Sequence, residues 1–192
     1  FFRHLRLCAK NRAPGAPETI YPASTGIGTR GPHLTMSCLA LDSQRPDVFL
    51  MPLENPQQTP AYDYHAKYSP QAPKFSRAMA VVQGHFVATL VSGTASIVNA
   101  QTCHPGDIVR QTEQTIENIE RLIAQENFKH HGLPGAGATL KDIAKLRVYV
   151  KHQEDFEPCR EACERLLPRV PAIYLQADVC RPDLLVEIEA VA

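Results

Sequence analysis

The chain of 192 residues carries 20 basic and 20 acidic side chains and is 44% apolar, which suits one globular domain, or slightly more than one, with a proper core. Balanced charge removes any long-range field that would single out nucleic acid or an anionic membrane, and no run of eighteen apolar residues offers a membrane span. Cys8, Cys38, Cys103, Cys159, Cys163 and Cys180 show no zinc spacing, so no metal is expected, and free thiols in a reducing cytoplasm are.

The chain begins Phe1-Phe2-Arg3-His4 without methionine, so an upstream part is expected to be missing. Residues 11–17 read as a loop. Residues 25–32 form a glycine-rich turn with neither a dinucleotide fingerprint nor a P-loop ending; it reads as architecture, with backbone access to a carboxylate as the alternative. Strands are predicted over His33–Leu41, by alternation, and over Val48–Leu53. A proline-punctuated connector follows at residues 55–60.

Residues 62–75 hold Tyr62, Tyr64, Tyr68, Pro70 and Pro73, and Arg77 stands just beyond. This stretch is too rich in proline for a helix and too aromatic for a slack linker. Phenols beside one guanidinium suit a small, partly flat anion; a packed aromatic loop is the other reading. Met79–Gln83 and Phe86–Ser92 predict a hairpin turning at Gly84-His85. Gly93, at the strand end, marks a place where a ligand can approach the backbone.

Asp107 predicts the cap of a helix whose inward stripe is Ile116, Ile119, Leu122 and Ile123, with Gln111, Glu113, Glu117 and Glu120 on its wet side. A glycine-rich loop covers 130–138. Leu146, Val148 and Val150 then share one face of a strand, with Arg147 and Tyr149 on the other. Arg147 either pairs with a strand carboxylate or clamps a ligand carboxylate. Phe156, Cys159, Cys163 and Leu166 space as a second helix, stopped by Pro168. Residues 171–178 read as a connector.

The last strand sets Leu184, Val186, Ile188 and Ala190 against Leu185, Glu187, Glu189 and Val191. Two carboxylates therefore sit side by side on one face, either as a solvated face or as a carboxyl held in a cleft, with Cys180 seven residues before. From Met79 the order is β-β-α-β-α-β. The class is α+β: a mixed sheet with two helices on one face, its other face buried against a further sheet.

Leu90–Thr94, Asp107–Ile123, Leu140–Val150 and Val186–Ala192 resemble the RidA/YjgF family over roughly residues 79–192. Tyr21–Thr29, Asn55–Tyr64, Tyr68-Ser69-Pro70 and Phe75–Ala78 extend the likeness to the chorismatases, relatives of that family that cleave chorismate. The resemblance implies a chorismate-mutase-like fold, with residues 1–60 as the end of a truncated N-terminal domain plus connector and 61–192 as the catalytic domain. It implies a trimer, or a pseudo-trimeric packing against the missing domain, no cofactor, and chorismate as the small-molecule partner.

By the same resemblance Glu187 is the catalytic acid. Gly93 and Cys180 match the pair that marks 3-hydroxybenzoate formers, some of which also yield 4-hydroxybenzoate. Gly93 would leave room for the ring, and Arg77, Arg147, Tyr64 and Tyr68 would bind substrate. The deaminases of the wider family carry an arginine after Pro-Ala, where this chain has Pro171-Ala172-Ile173; that departure argues against an enamine or imine deaminase. A non-catalytic ligand sensor is the other alternative, and its sign would be Arg147 paired with Glu187 and no pocket between them.

Overall fold

The computed structural model describes residues 20–29, 31–68 and 70–192; Cys8 and the loop at 11–17 lie outside them. Among the described residues eight strands form: β1 Val48–Leu53, β2 Ala78–Gln83, β3 Phe86–Thr94, β4 Ile97–Val98, β5 Gln101–Thr102, β6 Lys145–Val150, β7 Ala172–Gln176 and β8 Val186–Val191. Three α-helices join them: α1 Ile108–Ile123, α2 Gln125–His130 and α3 Phe156–Leu166. None is long and apolar enough to cross a membrane.

Six strands make one mixed sheet in the order β1-β2-β3-β8-β6-β7, and β4-β5 is a separate ribbon. Every pairing in the large sheet is antiparallel except β6 with β7. That parallel pair requires a crossover, which α3 supplies. The predicted boundary at residue 60 falls just after β1, a strand of this same sheet.

The core lies between one sheet face and the helices. Leu53, Ala78, Ala80, Val148, Val186 and Ile188 from the strands meet Ile116, Ile119, Leu122 and Ile123 of α1 and Cys159 and Cys163 of α3. Fully burying one such aliphatic side chain is worth about 1.5–3 kcal/mol. The two buried cysteines act as small apolar fillers. Helix α1 starts where Asp107 accepts a hydrogen bond from the Arg110 backbone N–H at 3.0 Å, as its sequence predicts. The α+β class with helices packed on one face holds.

Three local expectations do not. Residues 33–41 form no strand; Leu34, Met36 and Leu39 stand exposed, because alternation without a neighbouring strand leaves the backbone unpaired. Residues 172–176, read as a connector, are strand β7, which gains its ladder from β6.

Gln111, assigned to the wet side of α1, is fully buried. Its amide donates to the carbonyls of His104 and Asp183, at 3.1 and 2.8 Å, and accepts from the Leu185 N–H at 2.8 Å. It fastens α1 to the segment that feeds β8. Gln111→Leu keeps the volume but orphans buried backbone groups, so it should cost about 2–4 kcal/mol, read as a lower urea midpoint at unchanged m-value. A loss below about 1 kcal/mol would refute this role.

Candidate active site

Glu187 is the second residue of β8, which lies inside the sheet between β3 and β6. It points away from its core-facing neighbours Val186 and Ile188, yet it is only 5% exposed. Across from it, β3 carries an irregularity: Val91 faces Ala190 and Thr94 faces Ile188, so one extra residue is accommodated between. Gly93 sits in that bulge, a device that re-aims the backbone beside functional sites.

A Cβ on Gly93 would lie 1.9 Å from Glu187 Oε1 and 2.7 Å from Thr25 Cγ2. The glycine therefore admits the Glu187 carboxyl itself; the room expected for a ligand ring at this position is filled by that carboxyl. Thr25 closes the arrangement, its Oγ1 accepting from the Gly93 N–H at 2.8 Å.

Thr25 belongs to the turn read as architecture. Residues 21–28 run across one end of the sheet, with Ser76 donating to Tyr21 and Pro22 carbonyls, the Ser24 N–H donating to Ser92 Oγ, and the Gly28 N–H donating to Asp178. This strap brings Thr25 to the same Gly93 position that the buried Glu187 carboxyl occupies. Burial is the main force that pushes the Glu187 carboxyl up to about 7; the Glu189 carboxylate adds to it and the Arg77 cation opposes it. The acid is thus partly protonated near neutral pH.

Arg77 is 3% exposed. Its Nη2 donates to the Thr59 carbonyl at 3.0 Å and to the Tyr64 hydroxyl at 2.6 Å, and its guanidinium lies over the Tyr64 and Phe75 rings. Arg181, unmarked by the sequence reading, stacks on Tyr68 at 4.6 Å and on Tyr64 at 5.3 Å and donates to the Ala100 carbonyl at 2.9 Å. Arg77 Nε and Arg181 Nη2 are buried without a hydrogen-bond partner among the described residues. Two cations, Arg77 buried and Arg181 half-buried, each with a spare buried donor, suit a ligand carrying carboxylates.

Cys180 adjoins Arg181 and keeps access to solvent. Desolvation first, then the Glu187 carboxylate, pushes its thiol up, with the Arg181 and Arg77 cations opposing. At neutral pH it is a thiol, not a thiolate. A cleft of about 430 Å³ opens beside this group, lined by Thr59, Asp63, Tyr64, His65, Lys67, Tyr68 and residues 99–101. Its walls share Tyr64 and Tyr68 with the arginine cluster. Glu187, Gly93 and Cys180 do not line it; Arg77 is the link, bonded to the cleft wall and felt electrostatically by Glu187 and Cys180.

Of the residues expected at a site, Glu187 and Gly93 are thus in contact, Arg77 joins Tyr64, and Tyr64 meets Tyr68 with ring centroids 5.8 Å apart. Arg147 is elsewhere. It pairs with Glu189 at 2.8 Å with half its side chain exposed, and the Tyr149 hydroxyl donates to the same carboxylate at 3.1 Å. Their cross-strand register, Arg147 facing Glu189 and Tyr149 facing Glu187, makes Glu189 its natural partner. That pairing is internal, but it is not the Arg147–Glu187 pair that would mark a ligand sensor.

Thr25 and Arg181 are the residues that sequence reasoning passed over. Arg181 stood next to the singled-out Cys180, the one available signal. Thr25 lies in the glycine-rich turn and in the chorismatase-like stretch Tyr21–Thr29, where only its own role was missed.

Comparison with known proteins matches residues 67–192 to the endoribonuclease L-PSP family. A 3-hydroxybenzoate synthase of Streptomyces hygroscopicus is 42% identical over 176 residues, which is 89% of this chain and 50% of that protein. A chorismatase of Streptomyces rapamycinicus is 40% identical over 93% of this chain and 53% of its own length. A crystal structure of a chorismatase superposes with a TM-score of 0.75 at 31% identity, over 90% of this chain and 51% of that one. The chain therefore spans about half the length of these relatives.

Proposed function

The chain belongs to the endoribonuclease L-PSP family, and we propose that this protein cleaves chorismate to 3-hydroxybenzoate and pyruvate. One observation carries the reading: a buried carboxyl, Glu187, pushed up to about 7 and held against the Gly93 backbone, in reach of the field of a buried arginine. Its similarity to a 3-hydroxybenzoate synthase and to chorismatases supports the choice of substrate.

Chorismate is a dianion with a ring carboxylate and an enolpyruvyl ether. Arg77 and Arg181 take one carboxylate each, and Tyr64 and Tyr68 flank the flat part of the ligand. These two arginines replace the expected pairing of Arg77 with Arg147. Glu187, in its acid form, delivers its proton to the vinyl methylene carbon and generates an oxocarbenium ion. Protonating carbon is slow, so an acid still protonated near pH 7 is the chemical requirement that burial of Glu187 meets. The ether bond at ring carbon 3 then breaks with its electron pair going to oxygen, which releases pyruvate. The carbon 4 hydroxyl oxygen moves to carbon 3 as its bond to carbon 4 breaks, and the carbon 3 hydrogen leaves as a proton that restores the acid form of Glu187. The two products together hold all the atoms of chorismate, so no oxidant or external reductant enters.

The neutral Cys180 thiol serves as a proton donor and acceptor near the oxygen that ends on carbon 3 of the ring. Cys180→Ala should turn the product mixture from 3-hydroxybenzoate toward the non-aromatic dihydroxy acid, by about tenfold or more in ratio for a general-acid contribution. An unchanged ratio would remove Cys180 from the chemistry.

The reading itself is tested by incubating the protein with chorismate and identifying products by chromatography. Equimolar 3-hydroxybenzoate and pyruvate are expected; the same chromatogram detects any 4-hydroxybenzoate. Chorismate left unconsumed overturns the proposal.

A further inference from the structure

Glu54 follows β1 directly and Arg77 precedes β2 directly. Leu53 faces Ala78 as the last pair of the ladder, so Glu54 and Arg77 continue the two strands just past it, close enough for the Arg77 cation to act on the Glu54 carboxyl. Helix α2 fixes the Glu54 backbone from below: its N–H donates to His131 Nε2 at 3.1 Å and its carbonyl accepts from Asn127 Nδ2 at 3.1 Å. The Arg77 backbone N–H and the Ser76 side chain lie near its carboxylate without closing a well-formed hydrogen bond. Both Glu54 carboxylate oxygens are buried without a hydrogen-bond partner among the described residues, and Arg77 Nε shares that state.

A carboxylate near a buried guanidinium, each left with unmet hydrogen-bonding capacity, is a costly resting arrangement. It becomes intelligible when a third charged group is due to arrive. We propose that Glu54 is a positioning residue for Arg77: it is the counter-charge that holds the guanidinium ready in the free protein, and it takes up a proton when a substrate carboxylate occupies Arg77. This rests on chorismate as the ligand.

The charges around Glu54 agree with that sense. Burial pushes Glu54 up to about 7, the Arg77 cation and contacts from the Arg77 backbone N–H and the Ser76 side chain pull it down, and the Asp63 carboxylate pushes it up. Tyr62, raised by burial and then by the Glu54 and Asp63 carboxylates, remains a neutral phenol nearby. Free Glu54 is therefore mostly ionised at pH 8. An arriving carboxylate adds negative charge beside it and draws on the one cation that held it down. Both effects raise its proton affinity, so binding above pH 7 takes up a proton.

The test uses Glu187→Gln, in which turnover is slowed by about 10²–10⁴-fold and Glu187 cannot contribute a proton. Chorismate is titrated into this variant at pH 8 by calorimetry in buffers of different ionisation enthalpy. Uptake of roughly 0.4 to 0.8 proton per bound chorismate is expected, as a rise of about one to two units in the Glu54 midpoint gives, retained when Glu54→Asp is added and lost when Glu54→Gln is added. Should the double variant fail to fold, carbon-13 carboxyl NMR of Glu187→Gln, free and saturated with chorismate, reads the same event: the Glu54 titration midpoint should rise by about one unit or more on binding. Binding with equal proton uptake with and without Glu54, or an unmoved midpoint, overturns the inference and leaves the chorismate reading standing. Absence of chorismate binding overturns both.

Discussion

Replacing Glu187 by Gln should lower the turnover of chorismate by about 10²–10⁴-fold, the usual worth of a positioned general acid, while chorismate still binds. The amide fills the same space beside Gly93 and Thr25 but has no transferable proton. In the unaltered protein, activity should be present at low pH and fall as pH rises through about 7, because the acid form of Glu187 is lost there. Stability follows the same group with a definite sign. The folded-state value of Glu187, about 7, lies above its ordinary 4.5, so the folded state binds the proton more tightly than the unfolded chain between those limits. Its stabilising contribution is complete below about pH 4.5 and is lost as pH rises through about 7.

A displacement of this size corresponds to roughly 3 kcal/mol. Glu187→Gln should therefore be more stable than the unaltered protein by up to about 3 kcal/mol at pH 8, and nearly equal to it at pH 4.5. Denaturant melts at the two pH values measure this. A Gln variant that turns over at the normal rate removes the acid role; one that gains nothing at pH 8 denies that the carboxyl is held at a cost.

Arg77→Leu should lower kcat/KM for chorismate by about 10²–10³-fold, since a charge-assisted bond to a carboxylate is worth roughly 1.5–3 kcal/mol and a guanidinium can make two. The Tyr64 hydroxyl and the Thr59 carbonyl, which Arg77 now serves, lose their donor as well. Arg77→Lys keeps the charge without the planar fork and should fall between the two. A second readout separates electrostatics from packing. The Arg77 cation lowers the proton affinity of Glu187, so in the Leu variant the decline of activity should move to higher pH, whereas in the Lys variant it should move little. A Leu variant with normal kcat/KM would sever Arg77 from the substrate.

How much of this was legible beforehand varies residue by residue. Val186 and Ile188 against Glu187 gave β8 its two faces from alternation alone, and Asp107 with the isoleucine stripe gave α1 its start and its inward side. Gln111 went astray because a glutamine on a helix reads as polar surface, whereas its partners are backbone groups at Asp183 and Leu185, more than seventy positions away. β7 was missed because its Ile173 and Leu175 stay exposed; only pairing with β6 makes it a strand. Residues 33–41 erred in the opposite direction, alternating without a neighbour to pair with. At the site, Arg147 had the right chemistry on the right face, but Glu189 stands opposite it in the ladder and claims it.

Local periodicity, capping and motif order, all set by short-range sterics and the partition of apolar side chains, determined from sequence the α+β class, the strand bearing Glu187 and the stretches around Gly93, Arg77 and Cys180. Tertiary structure alone decided which charges meet. The bulge at Gly93, the strap carrying Thr25, the stacking of Arg181 on Tyr64 and Tyr68, and Glu54 near Arg77 join segments distant in the chain. Burial and the net field on a carboxyl depend on what packs around it in space, and no spacing along one strand encodes that.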